Sequence, residues 1–279
     1  MKRLSIITVS LANRAGLEQT LASVAEQDTH DHEFIVVDGG SSDGSRELLE
    51  RSGSIVDVWI SEPDGGIYNA MNKGIRKSTG EYCLFLNAGD RLVETSTVSG
   101  ILNQLDGNCD VYFSDLRFVD KGKVVFRHYP PSISTSFFLS NTLNHQNTVI
   151  RRTALEAAGL YREDLRIASD WYFYIEASLR REARFKKLAR PIAVFHNDGV
   201  SASAEGSSRN EAERELCLRE LFGSALPLMK ELASYRDSVY GNIVRTFGAS
   251  PLLIFLLRAY RAIARILPPA GQVDPHRAR

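Results

Sequence analysis

Hydrophobic and polar residues alternate in blocks along the first third of the chain. Continuous apolar, β-branched runs recur, and each is followed by a polar turn and then by apolar residues at helical spacing. This pattern is typical of strands that are buried on both faces and lead into helices. The strands are predicted at 4–10, 33–40, 56–62 and 81–90. Strands that alternate with helices predict an α/β fold with a parallel sheet and crossover connections.

Three helices are predicted between these strands. The first contains Leu17, Leu21 and Val24 at helical spacing. The second follows the stretch 41–45, where a Ser or an Asp is available as its cap. The third begins directly after the stretch 62–66, which reads EPDGG. Its predicted apolar face consists of Ile67, Ala70, Met71, Gly74 and Ile75.

Polar residues stand at the carboxyl end of each predicted strand. Ligands of parallel sheets bind at this edge. Any one of the acids could be an ordinary turn residue or helix cap, but the whole set on one edge predicts a ligand site. The set is Thr8, Ser10, Asp38, Glu62, Asp64, Asn87 and Asp90.

Two common nucleotide motifs are missing from the sequence. The first strand is not followed by G-x-G-x-x-G, and no G-x-x-x-x-G-K-[ST] occurs. An acid-rich edge instead suits the recognition of uracil and ribose by carboxylates, together with a divalent cation that screens a diphosphate.

Composition and charge narrow the class of protein further. Lysine plus arginine and aspartate plus glutamate number 34 each, which argues against a nucleic-acid partner. Three scattered cysteines without a CxxC predict neither a disulfide framework nor a zinc site and fit a reducing cytoplasm. The stretch 1–10 is interpreted as a strand rather than a signal peptide. No apolar segment reaches the length of a membrane span.

Four segments, in the same order along the chain, resemble glycosyltransferase family 2, the inverting sugar-nucleotide transferases of the GT-A fold. They are IITVSLANRAGLEQTLASVAEQ, EFIVVDGGSSDGS, EPDGGIYNAMNKGI and TGEYCLFLNAGD. The resemblance is strong over about residues 1–100 and looser through 145–152, 168–177 and 195–203. The EPDGGIYNAMNKGI and NAGD forms look most similar to bacterial exopolysaccharide transferases of the colanic-acid type. The resemblance implies a Rossmann-like, mostly parallel central sheet flanked by helices.

The resemblance also implies roles for individual residues. Ser10 and Asp38 would hold the uridine, Asp64 would line the base pocket, and Asp170 would be the catalytic base. Residues 87–90 occupy the place of the family's Asp-x-Asp, which binds Mg²⁺ or Mn²⁺ and the donor diphosphate.

The metal motif departs from the common D-A-D-D form, because this chain has Asn87-Ala88-Gly89-Asp90. Asn87 is then a donor contact and Asp90 the metal ligand, with His196 as a candidate second ligand, since neutral imidazole commonly binds metals. The missing acids also keep open a non-catalytic scaffold that retained the fold.

Several further side chains are candidates for substrate contact. Asn72 and Lys73 lie opposite the apolar face of the third helix and could donate to the donor's phosphates or sugar hydroxyls, or be solvated surface residues. His145 is a candidate contact for acceptor or donor. Trp171 and its aromatic neighbours surround Asp170 as a sugar-stacking site would, although Asp170 could also be a simple helix cap.

The chain is predicted to form a GT-A domain over 1–210, with a nucleotide-sugar half at about 1–100 and an acceptor half at about 101–210. The stretch 201–210 is small and polar, and we expect a mobile loop that closes over the donor. Residues 211–267 are predicted as C-terminal helices and 268–279 as a flexible tail.

The end of the helical region carries an arginine stripe. Arg258, Arg261 and Arg265 share one side of a predicted helix over 250–267 whose other side is apolar. This pattern favours a helix lying on an anionic membrane, and packing on the domain or on a dimer partner is the alternative.

The expected function is an inverting transfer of a sugar from a UDP-sugar to a glycan or polyprenyl-diphosphate-linked acceptor in bacterial polysaccharide biosynthesis. We expect a cytoplasmic protein at the inner face of the membrane that uses Mn²⁺ or Mg²⁺. A second candidate is a sugar-1-phosphate nucleotidylyltransferase. That class needs a glycine-rich, basic loop after the first strand, and residues 11–19 offer only Arg14.

Overall fold

The structure is a computed structural model that describes residues 2–196 and 203–237, with side chains described as far as residue 234. Its contacts divide the chain into two units, Met1–Leu226 and Pro227–Arg279. Both β-sheets and the candidate site belong to the first unit.

The four strands predicted from the apolar runs are confirmed. They are β1 (Leu4–Ser10), β2 (His32–Asp38), β3 (Val58–Ser61) and β4 (Tyr82–Asn87). All four are parallel, in the order β3-β2-β1-β4. Alternate residues of β1 divide between two apolar clusters, with Leu4 and Ile6 in one and Ile7 and Val9 in the other. Burial on both faces explains the largely apolar sequences of β1, β2 and β4, whereas β3 at the edge of the sheet is half-buried.

Three helices follow the first three strands, as predicted. They are α1 (Arg14–Ala25), α2 (Ser45–Glu50) and α3 (Ile67–Lys77). The apolar face of α3 differs at its start, because Ile67 is 36% exposed and Tyr68 is buried instead. Gly74 allows α3 to approach the sheet closely, since a Cβ there would lie 2.4 Å from Cγ2 of Ile7.

The strands that come after β4 in the sequence complete this sheet and form a second, smaller one. The further strands are β5 (Arg91–Leu92), β6 (Val111–Phe113), β7 (Leu116–Asp120), β8 (Lys123–Arg127), β9 (Thr148–Arg151), β10 (Phe185–Lys187) and β11 (Ala193–His196). The larger sheet has the order β10-β6-β9-β4-β1-β2-β3, in which only β9 runs antiparallel to its neighbours. The smaller sheet has the order β5-β11-β7-β8. The expectation of a mostly parallel central sheet is confirmed.

The described part of the first unit also contains further helices and 3₁₀ turns. They are α4 (Thr97–Leu102), α5 (Arg152–Ala157), α6 (Ser169–Arg180), α7 (Ala204–Phe222) and the 3₁₀ turns at Thr135–Leu139, His145–Asn147 and Gly223–Ala225. A further helix, α8 (Leu226–Asp237), lies almost wholly in the second unit.

The prediction of a loop over 201–210 is wrong from Ala204 onward, where α7 begins. The side chain of Ser203 accepts a hydrogen bond from the N–H of Gly206 and so caps this helix. Cys217 and Leu218 of α7 are buried in the larger apolar cluster. Residues 211–226, expected in a C-terminal appendage, therefore belong to the first unit.

The remaining C-terminal predictions lie outside the described residues. These are the arginine-striped helix at 250–267 and the tail at 268–279. Among the helices that are described, none is both long enough and apolar enough to span a membrane.

Candidate active site

The carboxyl ends of β1, β2 and β4 bring the predicted site residues to one edge of the sheet. Ser10 pairs with Asp38, and Val9 pairs with Asn87. The hydroxyls of Thr8 and Ser10 are buried and have no hydrogen-bond partner in the described part of the chain. A buried polar atom without a partner is uncommon in a folded protein.

Residues 87–90 form a tight turn at the end of β4. The backbone N–H of Asn87 donates to Oδ2 of Asp90 at 2.7 Å, and the N–H of Asp90 donates back to the carbonyl of Asn87 at 2.9 Å. Gly89 has φ 107°, which favours glycine. Thr20 of α1 fixes the turn, because its Oγ1 accepts from the N–H of Gly89 and donates to the carbonyl of Asp90 at 2.7 Å.

Asp90 is only 6% exposed. Burial raises the pKa of its carboxyl to about 6, while the neighbouring His145 and His196 act to lower that pKa. His196 is exposed at the end of β11. The two histidines and the carboxylate therefore share one electrostatic environment at the edge of the sheet.

A hydrogen-bonded chain connects this turn to Asp170. Nδ1 of His145 lies 3.1 Å from Oδ2 of Asp170, and Nε2 lies 3.1 Å from Nδ2 of Asn87. Because a carboxylate accepts and does not donate, Nδ1–H donates to Asp170, and Nε2 faces the side-chain amide of Asn87. His145 and Asp170 have side chains that are 12% and 14% exposed, so both can still be reached from solvent.

The second oxygen of Asp170 is also held. Oδ1 accepts from the backbone N–H of Trp171 at 2.7 Å and from the hydroxyl of Tyr68 at 3.2 Å. The single proton of this hydroxyl is shared with the carbonyl of Ile167, which lies closer, at 2.6 Å. Asp170 lies in the first turn of α6, where the helix dipole favours a negative charge.

Glu213 of α7 holds the loop in front of α6. Its carboxylate accepts three backbone hydrogen bonds of 2.9–3.0 Å, from Arg166, Ile167 and Ala168. Sequence reasoning missed both Glu213 and Tyr68. Tyr68 lies within the EPDGGIYNAMNKGI segment and could have been noticed there, whereas nothing around Glu213 in the sequence points to α6.

Asp38 organises the turn after β2. It is fully buried and accepts from the N–H and Oγ of Ser41 and from Oγ of Ser61. Asp64 is half-buried, and its Oδ1 accepts from the N–H of Gly66 at 2.8 Å. Its Oδ2 lies against Gly39, where an added Cβ would be only 2.6 Å away. The structure thus brings Asp64 beside the turn that Asp38 shapes.

Asn72 is predicted to contact the sugar-nucleotide donor, but its side chain is only 2% exposed and so is not accessible to a ligand. Its amide donates to the carbonyl of Tyr161 and to Glu163, and its amide oxygen accepts from the N–H of Tyr161. Asn72 therefore ties α3 to the segment before α6. Lys73 forms an ion pair of 2.7 Å with Glu62, in the loop that leads to Asp64.

The sugar-stacking role predicted for Trp171 is wrong, because its ring is 2% exposed. The indole N–H donates to the carbonyl of Phe138 at 2.8 Å, and the guanidinium of Arg214 lies 4.5 Å from the ring centroid. Tyr174 is fully buried as well. Trp171 and Tyr174 anchor α6 in the core and present no face to a sugar, whereas Tyr172 is half-buried.

The described residues contain no cluster of three His, Cys, Asp or Glu side chains able to hold a metal ion by themselves. Mg²⁺ in proteins usually takes one or two carboxylates and completes its shell with substrate phosphates and water. Asp90 fits that mode, since a cation would stabilise the charged form of a carboxylate that burial disfavours. A single carboxylate ligand from Asp90 therefore fits a cation that also binds the diphosphate of the sugar donor.

The sequence model of Glycosyl transferase family 2 matches residues 5–164. The chain belongs to glycosyltransferase family 2. An uncharacterized glycosyltransferase of Mycobacterium tuberculosis is 33% identical over 217 residues, which cover 73% of this chain and 79% of the relative. A PGL/p-HBAD biosynthesis glycosyltransferase of Mycobacterium bovis is 31% identical over 179 residues, which cover 61% of this chain and 68% of the relative.

Solved structures show the same fold for this family 2 glycosyltransferase. Residues 1–349 of TarS from S. aureus, in complex with UDP-GlcNAc, align with a TM-score of 0.65 at 17% identity, over 89% of this chain and 76% of that 1–349 chain. The mannosyltransferase PcManGT from Pyrobaculum calidifontis, in complex with GDP-Man and Mn²⁺, aligns with a TM-score of 0.57 at 16% identity, over 94% and 80%. The predicted GT-A fold and glycosyltransferase class are confirmed, and the nucleotidylyltransferase alternative is set aside. The particular likeness to colanic-acid transferases stays a prediction.

Proposed function

We propose that this family 2 glycosyltransferase transfers a sugar, with inversion, from a UDP-sugar to a glycan or polyprenyl-diphosphate-linked acceptor in bacterial polysaccharide biosynthesis. The chain of contacts from Asp170 through His145 to Asn87 carries the proposal. It connects a carboxylate at the start of α6 with the turn at 87–90, which in this proposal binds the donor diphosphate. UDP-GlcNAc in TarS supports a uridine donor, and the PGL/p-HBAD relative supports a role in glycoconjugate synthesis.

The donor half of the site consists of the edge formed by β1, β2 and the turn before α3. Asp64 would accept from the base, and the absence of a side chain at Gly39 leaves room beside its carboxylate. Asp38 would act through the turn that it holds, because its own oxygens are taken by Ser41 and Ser61. Ser10, and Thr8 behind it, would contribute hydroxyls whose hydrogen bonds are not used within the described residues.

Asp170 is the base in this proposal. In a single displacement, the acceptor oxygen bonds to the anomeric carbon as the bond from that carbon to the diphosphate oxygen breaks. The proton of the acceptor hydroxyl passes to Asp170, and a base in this position typically contributes about 10²–10⁴-fold to the rate. His145 donates to Oδ2 of Asp170 and thereby orients the carboxylate. His145 is therefore a positioning residue, placed between the acceptor base and the donor's turn.

Asp90 would hold Mn²⁺ or Mg²⁺ together with the donor diphosphate, with His196 at the exposed edge of the site. The bound cation would supply Lewis-acid stabilisation of the departing diphosphate. Asn87 closes the turn around Asp90 and contacts His145, so that the donor and acceptor parts share one hydrogen-bonded group.

Donor screening tests the proposed function. The full-length protein is titrated with UDP and Mn²⁺ by calorimetry, and a panel of UDP- and GDP-sugars is assayed for hydrolysis. We expect UDP to bind and at least one UDP-sugar to be hydrolysed faster than any GDP-sugar. Absence of nucleotide binding would instead favour the non-catalytic scaffold, and selective hydrolysis of GDP-sugars would contradict the uridine donor.

A further inference from the structure

The hairpin formed by β7 and β8 exposes large apolar side chains. Val124 is 51% exposed and Phe126 is 54% exposed, although both lie within a strand. β8 is the last strand of the smaller sheet, so one of its edges is unpaired within that sheet. Exposed apolar side chains on an edge strand are unusual unless they serve an interaction.

The register of the sheet places these side chains on a common face with His196. Val124 pairs with Val119, which in turn pairs with His196. Phe126 lies in the adjacent row, opposite Arg117. The exposed face of the hairpin therefore continues from the edge of the candidate active site.

The opposite face of the same strands is part of the core. Phe118 stacks on Phe195 at a centroid distance of 5.7 Å and packs against the larger apolar cluster. Val125 shares that face and is half-buried. Among the described residues, the side chains of Val124 and Phe126 are thus on the exposed face of a strand whose backbone is paired with β7.

The hairpin is also basic. Lys121, Lys123 and Arg127 are exposed, and Arg117 lies with its guanidinium 5.8 Å from the ring centroid of Phe126. Between residues 116 and 129 the only acid is Asp120, whereas charges over the whole chain balance at 34 each. The positive charge is therefore a local property of this surface.

Apolar side chains surrounded by cations complement an anionic lipid surface better than a second copy of this chain. Lysines on an edge strand oppose pairing between two identical edges, because the like charges would meet. Anionic headgroups attract the same cations, and valine and phenylalanine can enter the headgroup boundary. We propose that the β7–β8 hairpin docks the protein on an anionic phospholipid membrane, with Val124 and Phe126 inserted.

Vesicle binding tests the proposal with the full-length protein. The probes are vesicles of phosphatidylcholine alone or of phosphatidylcholine with phosphatidylglycerol. We expect binding only to the anionic vesicles and weaker binding as salt is raised. The pairs Lys121→Asn with Lys123→Gln, and Val124→Ser with Phe126→Ser, should each lower the partition coefficient by about tenfold or more. Asparagine is chosen at 121 because the backbone there has φ 48°.

Matched controls separate a specific surface from a general loss of charge or apolar area. Arg46→Gln with Arg51→Gln removes two exposed cations, one in α2 and one directly after it, and Leu216→Ser removes a side chain that is 51% exposed on α7. Neither change should lower vesicle binding. UDP affinity should be unchanged in all hairpin variants, so failure of the docking proposal is distinguishable from failure of the proposed catalytic function.

A fluorescent probe placed in the hairpin tests the proposal even if another part of the chain also binds lipid. With Phe126→Trp, the additional indole emission should shift to the blue and be quenched by brominated lipid in anionic vesicles, beyond the response of the wild type. Such quenching supports docking even where overall affinity is unchanged by the other variants. Absence of extra quenching overturns the proposal, and so does self-association in solution that the hairpin variants abolish.

Discussion

The carboxylates of the nucleotide half and of the acceptor half are held in different ways. Asp38, Asp64 and Asp90 each accept a backbone N–H from a residue only two or three positions away. Asp170 has one such neighbour, the adjacent N–H of Trp171, and is otherwise held by side chains 25 and 102 positions distant. Each donor-side carboxylate therefore lies in a local turn, with Ser61 and Thr20 adding distant contacts to two of these turns, whereas the carboxylate of the base is held mainly by distant side chains.

This difference predicts where the site tolerates change. A local turn keeps its geometry as long as its own few residues are kept, and its carboxylate can act on a ligand directly. A base held by distant elements depends on the packing of α3, α7 and the segment before β9. Substitutions far from the reacting atoms should therefore lower kcat more when they loosen the acceptor half than when they loosen the donor half.

The largest expected effect is loss of the cation at the donor edge. Because Asp90 is the only carboxylate in the turn at 87–90, chelation by EDTA should reduce sugar transfer to background. Added Mn²⁺ or Mg²⁺ should restore transfer, as measured by release of UDP from the donor. Full activity in EDTA would contradict a metal role for Asp90.

The next effect concerns His145. His145→Ala removes a hydrogen bond to a carboxylate, which is worth about 1.5–3 kcal/mol, so kcat should fall about 10–100-fold. His145→Asn keeps an N–H donor near the position of Nδ1 and should recover part of that loss. UDP affinity, measured by calorimetry, should change little. Equal losses in both variants, or a loss confined to donor affinity, would show that His145 does not act through Asp170.

Glu213 provides a test at a greater distance from the reacting atoms. Glu213→Ala leaves three backbone N–H groups without their acceptor, which should cost about 1–3 kcal/mol of folding free energy. We expect kcat to fall severalfold because the loop before Asp170 loosens. Glu211→Ala, at an exposed position on the same helix, is the matched control. Equal kcat values in the two variants would contradict the claim that α7 helps to position Asp170.

The smallest effect on turnover is expected at Glu33. Burial acts to raise the pKa of this carboxyl, but hydrogen bonds from Ser5, Thr79 and Gly80 outweigh burial and lower it below 4.5. Its stabilisation is therefore present above pH 4.5 and is lost as the pH falls through the lower folded-state value. Glu33→Gln should reduce the free energy of unfolding at pH 7 by about 1–3 kcal/mol.

Two measurements check this prediction. The difference in unfolding free energy between the wild type and Glu33→Gln should shrink as the pH is lowered toward 3, and kcat should stay near the wild-type value at pH 7. Glu33 lies at the far end of β2 from Asp38. A large loss of kcat in the folded variant would therefore contradict the assignment of function to the other edge.

The same difference between local and distant contacts explains what the sequence could predict. Buried strands give apolar runs, so the sequence predicts β1 to β4, and it predicts the turn acids as a set because they stand at the carboxyl ends of these strands. Asn72 and Trp171 were misjudged because a buried amide or indole can satisfy its hydrogen bonds on a distant backbone. The start of α7 was missed because its small polar residues are also typical of a loop. Glu213 could not be predicted at all, since its partners are three backbone N–H groups.

Substitution of Asp170 tests the central claim most directly. Asp170→Asn keeps the size of the side chain and an acceptor for the N–H of Trp171, while removing the base. The measurement is the kcat for sugar transfer alongside the UDP dissociation constant, with Asp164→Asn, an acid paired with Arg162 on the same segment, as the control. The account predicts a kcat lower by about 10²–10⁴-fold with UDP affinity unchanged and an active control. A folded Asp170→Asn protein that transfers sugar within a few-fold of the wild-type rate would contradict it.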